Sequence, residues 1–210
     1  MDERVDVVDE RGRPTGEVAW KSEAHRRGLP HRCFHCWVWS NDEADELYLL
    51  VQRRAATKET WPGRLDVTAA GHLAAGEEPL EGGLRELEEE LGLIVEPGRL
   101  VPLGTRWVDL EIPQGRDREF HHVFLLFDRT PPAELRLQRE EVDAVLRLTL
   151  EDAEALDASG SAAAVEYTGG GASPRRVSLP DFVPNGDDYL RRAARAARRV
   201  HAGEDPGEVF

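Results

Sequence analysis

The chain has 210 residues, a formal net charge of −14 and only two cysteines. That length is ample for a buried core. The acidity argues against general binding of nucleic acid or of an anionic membrane, and two thiols cannot build a disulfide scaffold. No apolar run nears the roughly 18 residues of a membrane-spanning helix, and Met1-Asp2-Glu3-Arg4 opens no secretion signal, so a soluble cytoplasmic protein is expected.

In chain order, residues 5–20 read as a small hairpin with its turn between Gly12 and Gly16. A short helix near 22–27 leads to a strand at 32–40, the polar turn NDEADE and a second strand, ELYLLVQR. Within the first of these strands, Cys33 and Cys36 form a CxxC. Strand residues three apart point to opposite faces and no second CxxC exists, so a strand is read here rather than a zinc or redox site. The loop AATKETWPG then carries the chain into RLDVTAAGHL, read as one strand.

The stretch 71–93, GHLAAGEEPLEGGLRELEEELGL, holds seven glutamates. Like charges one turn apart on a helix repel, so a divalent cation is the natural counter-charge. At about 100° per residue Glu86, Glu89 and Glu90 share one helix face. Leu80, Leu84, Leu87 and Leu91 form a separate apolar stripe able to pack on a sheet. Pro79 suits the first turn, Gly92 the left-handed cap, and Gly71 and Gly76 a tight preceding loop. Oxygen ligands of this kind suit a hard ion such as Mg²⁺, or Mn²⁺.

Further along, strands are expected near 100–111, 119–127 and 142–148, and a helix from about Glu151. VEYTGGGASPRRVSL reads as an inserted hairpin, and DDYLRRAARAARRV as a terminal helix with Asp187 and Asp188 at its N-terminus. The helix arginines at 191, 192, 195, 198 and 199 are read as a solvated face or as contacts to an acidic body rather than as an anion site. Strands mixed with a few helices imply an α/β class. The expected organisation is a principal domain over 1–157, with 158–210 adding the hairpin and the last helix to the same body.

Gly71, Glu77, Arg85-Glu86-Leu87, Glu89-Glu90 and Gly92-Leu93 stand at the nine fixed positions of the Nudix box, so the chain resembles a Nudix hydrolase. LYLLVQRRAATKETWPGRLDVTAAGHL further resembles the branch that includes isopentenyl-diphosphate isomerase, and that likeness spans roughly residues 5–155. The resemblance implies an α/β/α sandwich with a mixed central sheet. It also implies a cation held by Glu86, Glu89 and Glu90 with a backbone carbonyl near Ala70, and a diphosphate bound by Arg54 and Lys58. Glu86 would ligate the cation or deprotonate the attacking water. Glu141, or its neighbour Glu140, would add a loop carboxylate, and Arg85 would orient the box carboxylates.

The isomerases place a catalytic cysteine where Ala70 stands, and Arg and Tyr where this chain has Glu86 and Glu89. The chain therefore looks like an isomerase-branch scaffold armed for hydrolysis. His25, His31, His72 and Glu119, with Asp117, fall near that branch's second metal site. Lone histidines are more often hydrogen-bonded fixtures, and that reading is preferred here, with Glu119 lining the pocket on the substrate side. The expected activity is Mg²⁺-dependent hydrolysis of a nucleoside diphosphate or its conjugate. Isoprenoid or cofactor diphosphates, an isomerase and a non-catalytic diphosphate sensor are the alternatives. Trp37, Trp39, Trp61 and Trp107 are candidates for stacking on a base. The partner is a small molecule, not nucleic acid or membrane, and the protein a monomer or homodimer.

Overall fold

A computed structural model describes residues 2–185 and 188–210; Asp187, expected at the start of the last helix, lies outside the described residues. The elements are β1 (Arg4–Val8), β2 (Pro14–Trp20), α1 (Lys21–Arg27), β3 (His31–Asn41), β4 (Leu47–Arg54), β5 (Leu65–Asp66) and β6 (Ala69–His72). They continue with α2 (Pro79–Leu91), β7 (Leu100–Ile112), β8 (Gly115–Phe127), β9 (Val142–Thr149), α3 (Leu150–Ser159), β10 (Ala162–Thr168), β11 (Gly171–Val177) and α4 (Tyr189–His201).

The β1–β2 hairpin turns at 9–13 rather than between Gly12 and Gly16. The Asp9 carboxylate accepts the Arg11 and Arg13 N–H groups and the Arg13 guanidinium, which closes the turn early. The central sheet runs β11-β10-β9-β4-β3-β8-β7, mixed because β3 and β8 are parallel. Leu87 and Leu91 of α2 pack on one face, while Ala153 and Leu156 of α3 and the alanines of α4 pack on the other. This is the expected α/β/α sandwich. The hairpin β10–β11 joins β9 through Val165–Tyr167, so it extends the main sheet. β8 starts at Gly115, earlier than expected, because its polar first residues pair across to β7, Arg116 with Glu111 and Arg118 with Asp109 among them.

β3 and β4 pair only at Trp39–Asn41, then part. Beyond that point β6 takes the freed edge of β3 (Cys33 opposite His72, His35 opposite Ala70), and β5 takes that of β4 (Gln52 opposite Asp66). The single strand expected over 64–73 is therefore two, split because its halves serve different partners. Thr68, fully buried, sits at the fork. The Val38 N–H donates to its hydroxyl at 2.9 Å, and the hydroxyl donates to the Leu50 carbonyl.

The apolar stripe of α2 is shorter than its leucine spacing implies. Leu80 is exposed, and the buried positions of the first turns are Gly82 and Gly83. A Cβ on Gly83 would overlap the Phe34 ring of β3, so the helix lies closer to the sheet than leucine packing would allow. The left-handed cap at Gly92 (φ 72°) is as expected.

Two outcomes test these contacts. Thr68→Val keeps the shape but orphans the Val38 N–H and Leu50 carbonyl, and should cost about 2–4 kcal/mol in denaturant unfolding. Thr68→Ser should cost clearly less; equal losses would refute the fork pin. Gly83→Ala gains about 1 kcal/mol in helix propensity but drives a methyl into Phe34, so net destabilisation of about 1–3 kcal/mol is expected from overpacking. A stabilised variant would show that the helix can lift freely.

Candidate active site

The cleft opens where β3 and β4 diverge, and has a volume of about 160 Å³. Glu86, Glu89, Glu90, Ala70, Arg54, Lys58, Glu119 and Glu141 all line it, so these expected site residues are brought to one place. Glu140 is exposed and outside the lining; its carbonyl accepts the Thr57 hydroxyl.

Glu86 and Glu90 are buried, whereas Glu89 is exposed. Glu90 Oε2 accepts the Ala70 N–H at 3.1 Å and lies 3.5 Å from Gln52 Nε2. Burial, reinforced by the Glu86 charge, pushes Glu90 up to about 8 even though the Ala70 N–H and Lys58 oppose the rise. Glu86 lies over Gly71, where a Cβ would overlap its carboxylate. Gly71 therefore keeps its place for close approach; its φ is not positive, and the left-handed residue of this loop is Gly76 (φ 83°). Burial raises Glu86 to about 7, with Arg85 pulling down and Glu89 adding to the rise.

Arg85 donates to Glu86 at 2.7 Å, to Glu89 at 3.1 Å, to both oxygens of Glu77 at 3.0 Å and to the His72 carbonyl at 3.3 Å. It orients the carboxylates as expected. Glu77 is its anchor, and one Glu77 oxygen also accepts the Ala74 N–H at 2.8 Å.

The loop at 55–63 forms another wall. Arg54 donates to the Thr60 carbonyl at 3.1 and 3.2 Å and to Asp66 at 3.0 Å, so its guanidinium is fixed in place. Lys58 pairs with Glu141. The segment carrying Glu141 is docked on the end of α2, because the Arg136 and Gln138 N–H groups donate to the Leu91 and Glu90 carbonyls at 3.0 Å. Trp61 holds a left-handed conformation (φ 52°) unusual for a bulky residue and lines the cleft. Trp37 and Trp39 are core residues. Trp107 lies on the side of β7 opposite Val108, which lines the cleft, and packs with Phe120 and Arg118.

The floor is made by β3 and β8, whose parallel register sets His31 beside Glu119 and Cys33 beside His121. Alternation puts His31, Cys33 and His35 on one face, with Asp117, Glu119 and His121 beside them. Cys33 lines the cleft and Cys36 is in the core on the opposite face, as three-residue spacing requires. His25 from α1 and His72 from β6 complete a cluster in which His25, His31, His72 and Glu119 have one ligand atom each within 4.8 Å of the others. The distances are 3.3 Å from His31 Nε2 to Glu119, 3.1 Å from His72 Nε2 to Glu119 and 3.5 Å from His25 Nε2 to Asp117.

The expected histidines are not isolated side chains, because the residues converge. The His31 Nδ1 lies 2.9 Å from the Leu29 carbonyl, which can only accept, so Nδ1 carries the proton and Nε2 offers its lone pair. The Nε2 atoms of His25, His31 and His72 and Asp117 Oδ1 are buried with no hydrogen-bond partner. Burial holds His72 down at about 3, keeping the ring neutral. Burial also opposes ionisation of Glu119, yet the hydrogen bond from His121 holds its carboxyl well below the usual range. Three imidazoles and a carboxylate, with Asp117 beside them, fit a divalent transition ion; three glutamates and a carbonyl fit a hard one.

His35, His121 and Tyr189 were not expected at the site. The period-two pattern His31-x-Cys33-x-His35 and Asp117-x-Glu119-x-His121 is the signal that would have found the first two.

Among known proteins, the NUDIX domain model matches residues 29–167. An uncharacterized Nudix hydrolase of Clostridium acetobutylicum is 33% identical over 202 residues, covering 93% of this chain and 97% of that protein. An isopentenyl-diphosphate Delta-isomerase of Corynebacterium diphtheriae is 42% identical over 92 residues, 43% of this chain and 48% of its own length. Among solved structures, a Deinococcus radiodurans protein superposes with a TM-score of 0.56 at 24% identity, covering 75% of this chain and 90% of that one. That likeness is one of fold. With a box helix whose carboxylates face the cleft, and with these relatives, the chain belongs to the Nudix family and is a Nudix hydrolase.

Proposed function

We propose that the protein hydrolyses the diphosphate linkage of a small nucleoside diphosphate or its conjugate, with Mg²⁺ or Mn²⁺ bound by Glu86, Glu89, Glu90 and the Ala70 carbonyl. One observation carries this reading. Two buried glutamates, Glu86 and Glu90, face the same cleft as Arg54, Lys58 and Trp61. Buried acids of like charge need a cation to stay ionised together. A cation there would offset charge on the phosphoryl oxygens and lower the pKa of the attacking water.

The chain's own groups do the rest. Glu90, fixed by the Ala70 N–H, and Glu89 hold the cation side of the site. Glu86, oriented by Arg85, takes the proton from water. The water oxygen bonds to phosphorus as the bridging P–O bond breaks, and the electron pair leaves on the departing phosphate. Arg54 offers a fixed guanidinium to the diphosphate and Lys58 a mobile ammonium. Glu141 parks Lys58 until substrate competes for it. Glu119 lines the far side with the histidine cluster, which we read as the seat of a second divalent ion.

Trp61 supports a planar base as the attached group, being the one tryptophan of the four candidates that faces the cleft. The isomerase reading draws support from relatives of that name, but Ala70 supplies no thiol for proton transfer.

Phosphate release across nucleoside diphosphates, sugar conjugates, dinucleotides, thiamine diphosphate and isopentenyl diphosphate tests this reading. Turnover should require added divalent metal and fall more than about 100-fold in Glu90→Gln, beyond the usual loss for a mere supporting partner. Metal-dependent binding without turnover would replace the hydrolase by a sensor, and allylic product from isopentenyl diphosphate would restore the isomerase.

A pH dependence follows from the same carboxyls. Glu86 and Glu90 have folded-state values of about 7 and about 8, raised from 4.5. Without metal the fold therefore loses stability as pH rises from about 4.5 to 8, because the folded state resists ionisation that the unfolded chain accepts. A bound cation removes that penalty. Thermal melts with and without Mg²⁺ should thus diverge more at pH 8.5 than at pH 6; a metal-induced shift independent of pH would contradict the assignment.

A further inference from the structure

The two oxygens of Glu119 have different neighbours. Oε1 lies 3.3 Å from His31 Nε2 and 3.1 Å from His72 Nε2. Oε2 lies 2.6 Å from His121 Nε2. A carboxylate only accepts, so Nε2 of His121 is the donor. The His121 ring is 3% exposed and stacks on His35 with centroids 3.8 Å apart and planes 23° from parallel. His35 Nδ1 in turn meets the Tyr189 hydroxyl at 3.1 Å. Tyr189 opens α4, where Trp37 and Phe210 meet its ring edge-on at 5.2 and 5.0 Å and the Arg106 guanidinium covers it at 4.1 Å.

Each link restricts one freedom of the next. A carboxylate with both oxygens unrestrained would rotate about its last bond and present either edge to the histidines. The His121 hydrogen bond removes that rotation. The stack fixes the His121 plane, and Tyr189 fixes the position of the ring beneath it. Among the described residues none of these side chains hydrogen-bonds a box carboxylate, so orienting the carboxylates of α2 does not account for the arrangement.

We infer that His121 is a positioning residue for the histidine cluster: its Nε2–H holds Glu119 so that Oε1 alone faces His25, His31 and His72, and Tyr189 secures this through His35. The inference rests on the reading that the cluster binds a divalent ion. It extends the site across the sheet to the terminal helix. It also gives Tyr189 a task besides packing. Histidine cluster ligands are characteristically steered by such outer hydrogen bonds, whose loss weakens metal binding about 10–100-fold.

The test uses the full chain, stripped by chelation and titrated with Co²⁺ in excess Mg²⁺, so that the box carboxylates stay filled. Visible d–d absorption reports nitrogen-rich ligation independently of turnover. Wild type should give a saturable spectrum that His72→Ala abolishes. His121→Ala should weaken Co²⁺ about 10–100-fold at unchanged stoichiometry, and His121→Gln, whose amide can donate from a similar place, should recover most of the loss. Tyr189→Phe should weaken it several-fold, and thermal melts of each variant should separate misfolding from a local effect. Co²⁺ affinity in His121→Ala equal to wild type would overturn the inference while leaving the cluster reading intact. Loss of one of two bound ions would also overturn it, making His121 a ligand. A wild type with no His72-dependent spectrum would remove the cluster reading and this inference together.

Discussion

Everything at the cleft depends on strands β3 and β4 ceasing to pair. A sheet that kept them together would bury the ground on which Glu90, Lys58 and the histidines stand. Parting two central strands exposes unpaired N–H and C=O groups in the middle of a sheet, each of which costs about 1–3 kcal/mol if left buried and unmatched. The chain meets this with β5 on one freed edge, β6 on the other, and one threonine hydroxyl spanning the point of departure. The wedge is thereby lined by backbone already satisfied, and the site can be polar without destabilising the sheet.

β6 is the strut between two charge systems. Ala70 offers its N–H to Glu90, Gly71 makes room for Glu86, and His72 sends its ring to the other side while its carbonyl accepts Arg85. Three consecutive residues thus position the carboxylate helix and the histidine cluster relative to one another. Strand alternation explains the division, since neighbours along a strand face opposite sides. The proximity of two such centres is a property of one short strand rather than of the helix that carries most of the acids.

Much of this was legible in the sequence, for identifiable reasons. The box helix, its cap and the loop arginine and lysine are local patterns, set by residues within a few turns of each other, and the structure gathers them in one cleft. Leu80 misled because the helix period continues past the point where the sheet ends beneath it. Gly82 and Gly83 carried no visible signal, since closeness to Phe34 belongs to a contact between distant segments. The strand at 64–73 looked continuous because its hydrophobicity does not record which neighbour each half will find. The histidine cluster was legible only through the family resemblance, for its convergence depends on a parallel register between strands far apart in sequence, and no local spacing encodes that register.

That parallel pairing also dictates an order in time. His31 and Glu119 lie roughly ninety residues apart, a separation typical of the contacts that slow folding. During synthesis the antiparallel partners of β3 emerge soon after it, whereas its other edge stays open until β8 has been made. An open, largely apolar strand edge in a growing chain invites wrong pairing. The same docking event that covers it delivers Asp117, Glu119 and His121 to histidines already in place. The nascent chain therefore carries imidazoles without their carboxylates, and the cluster is assembled only when that open edge disappears.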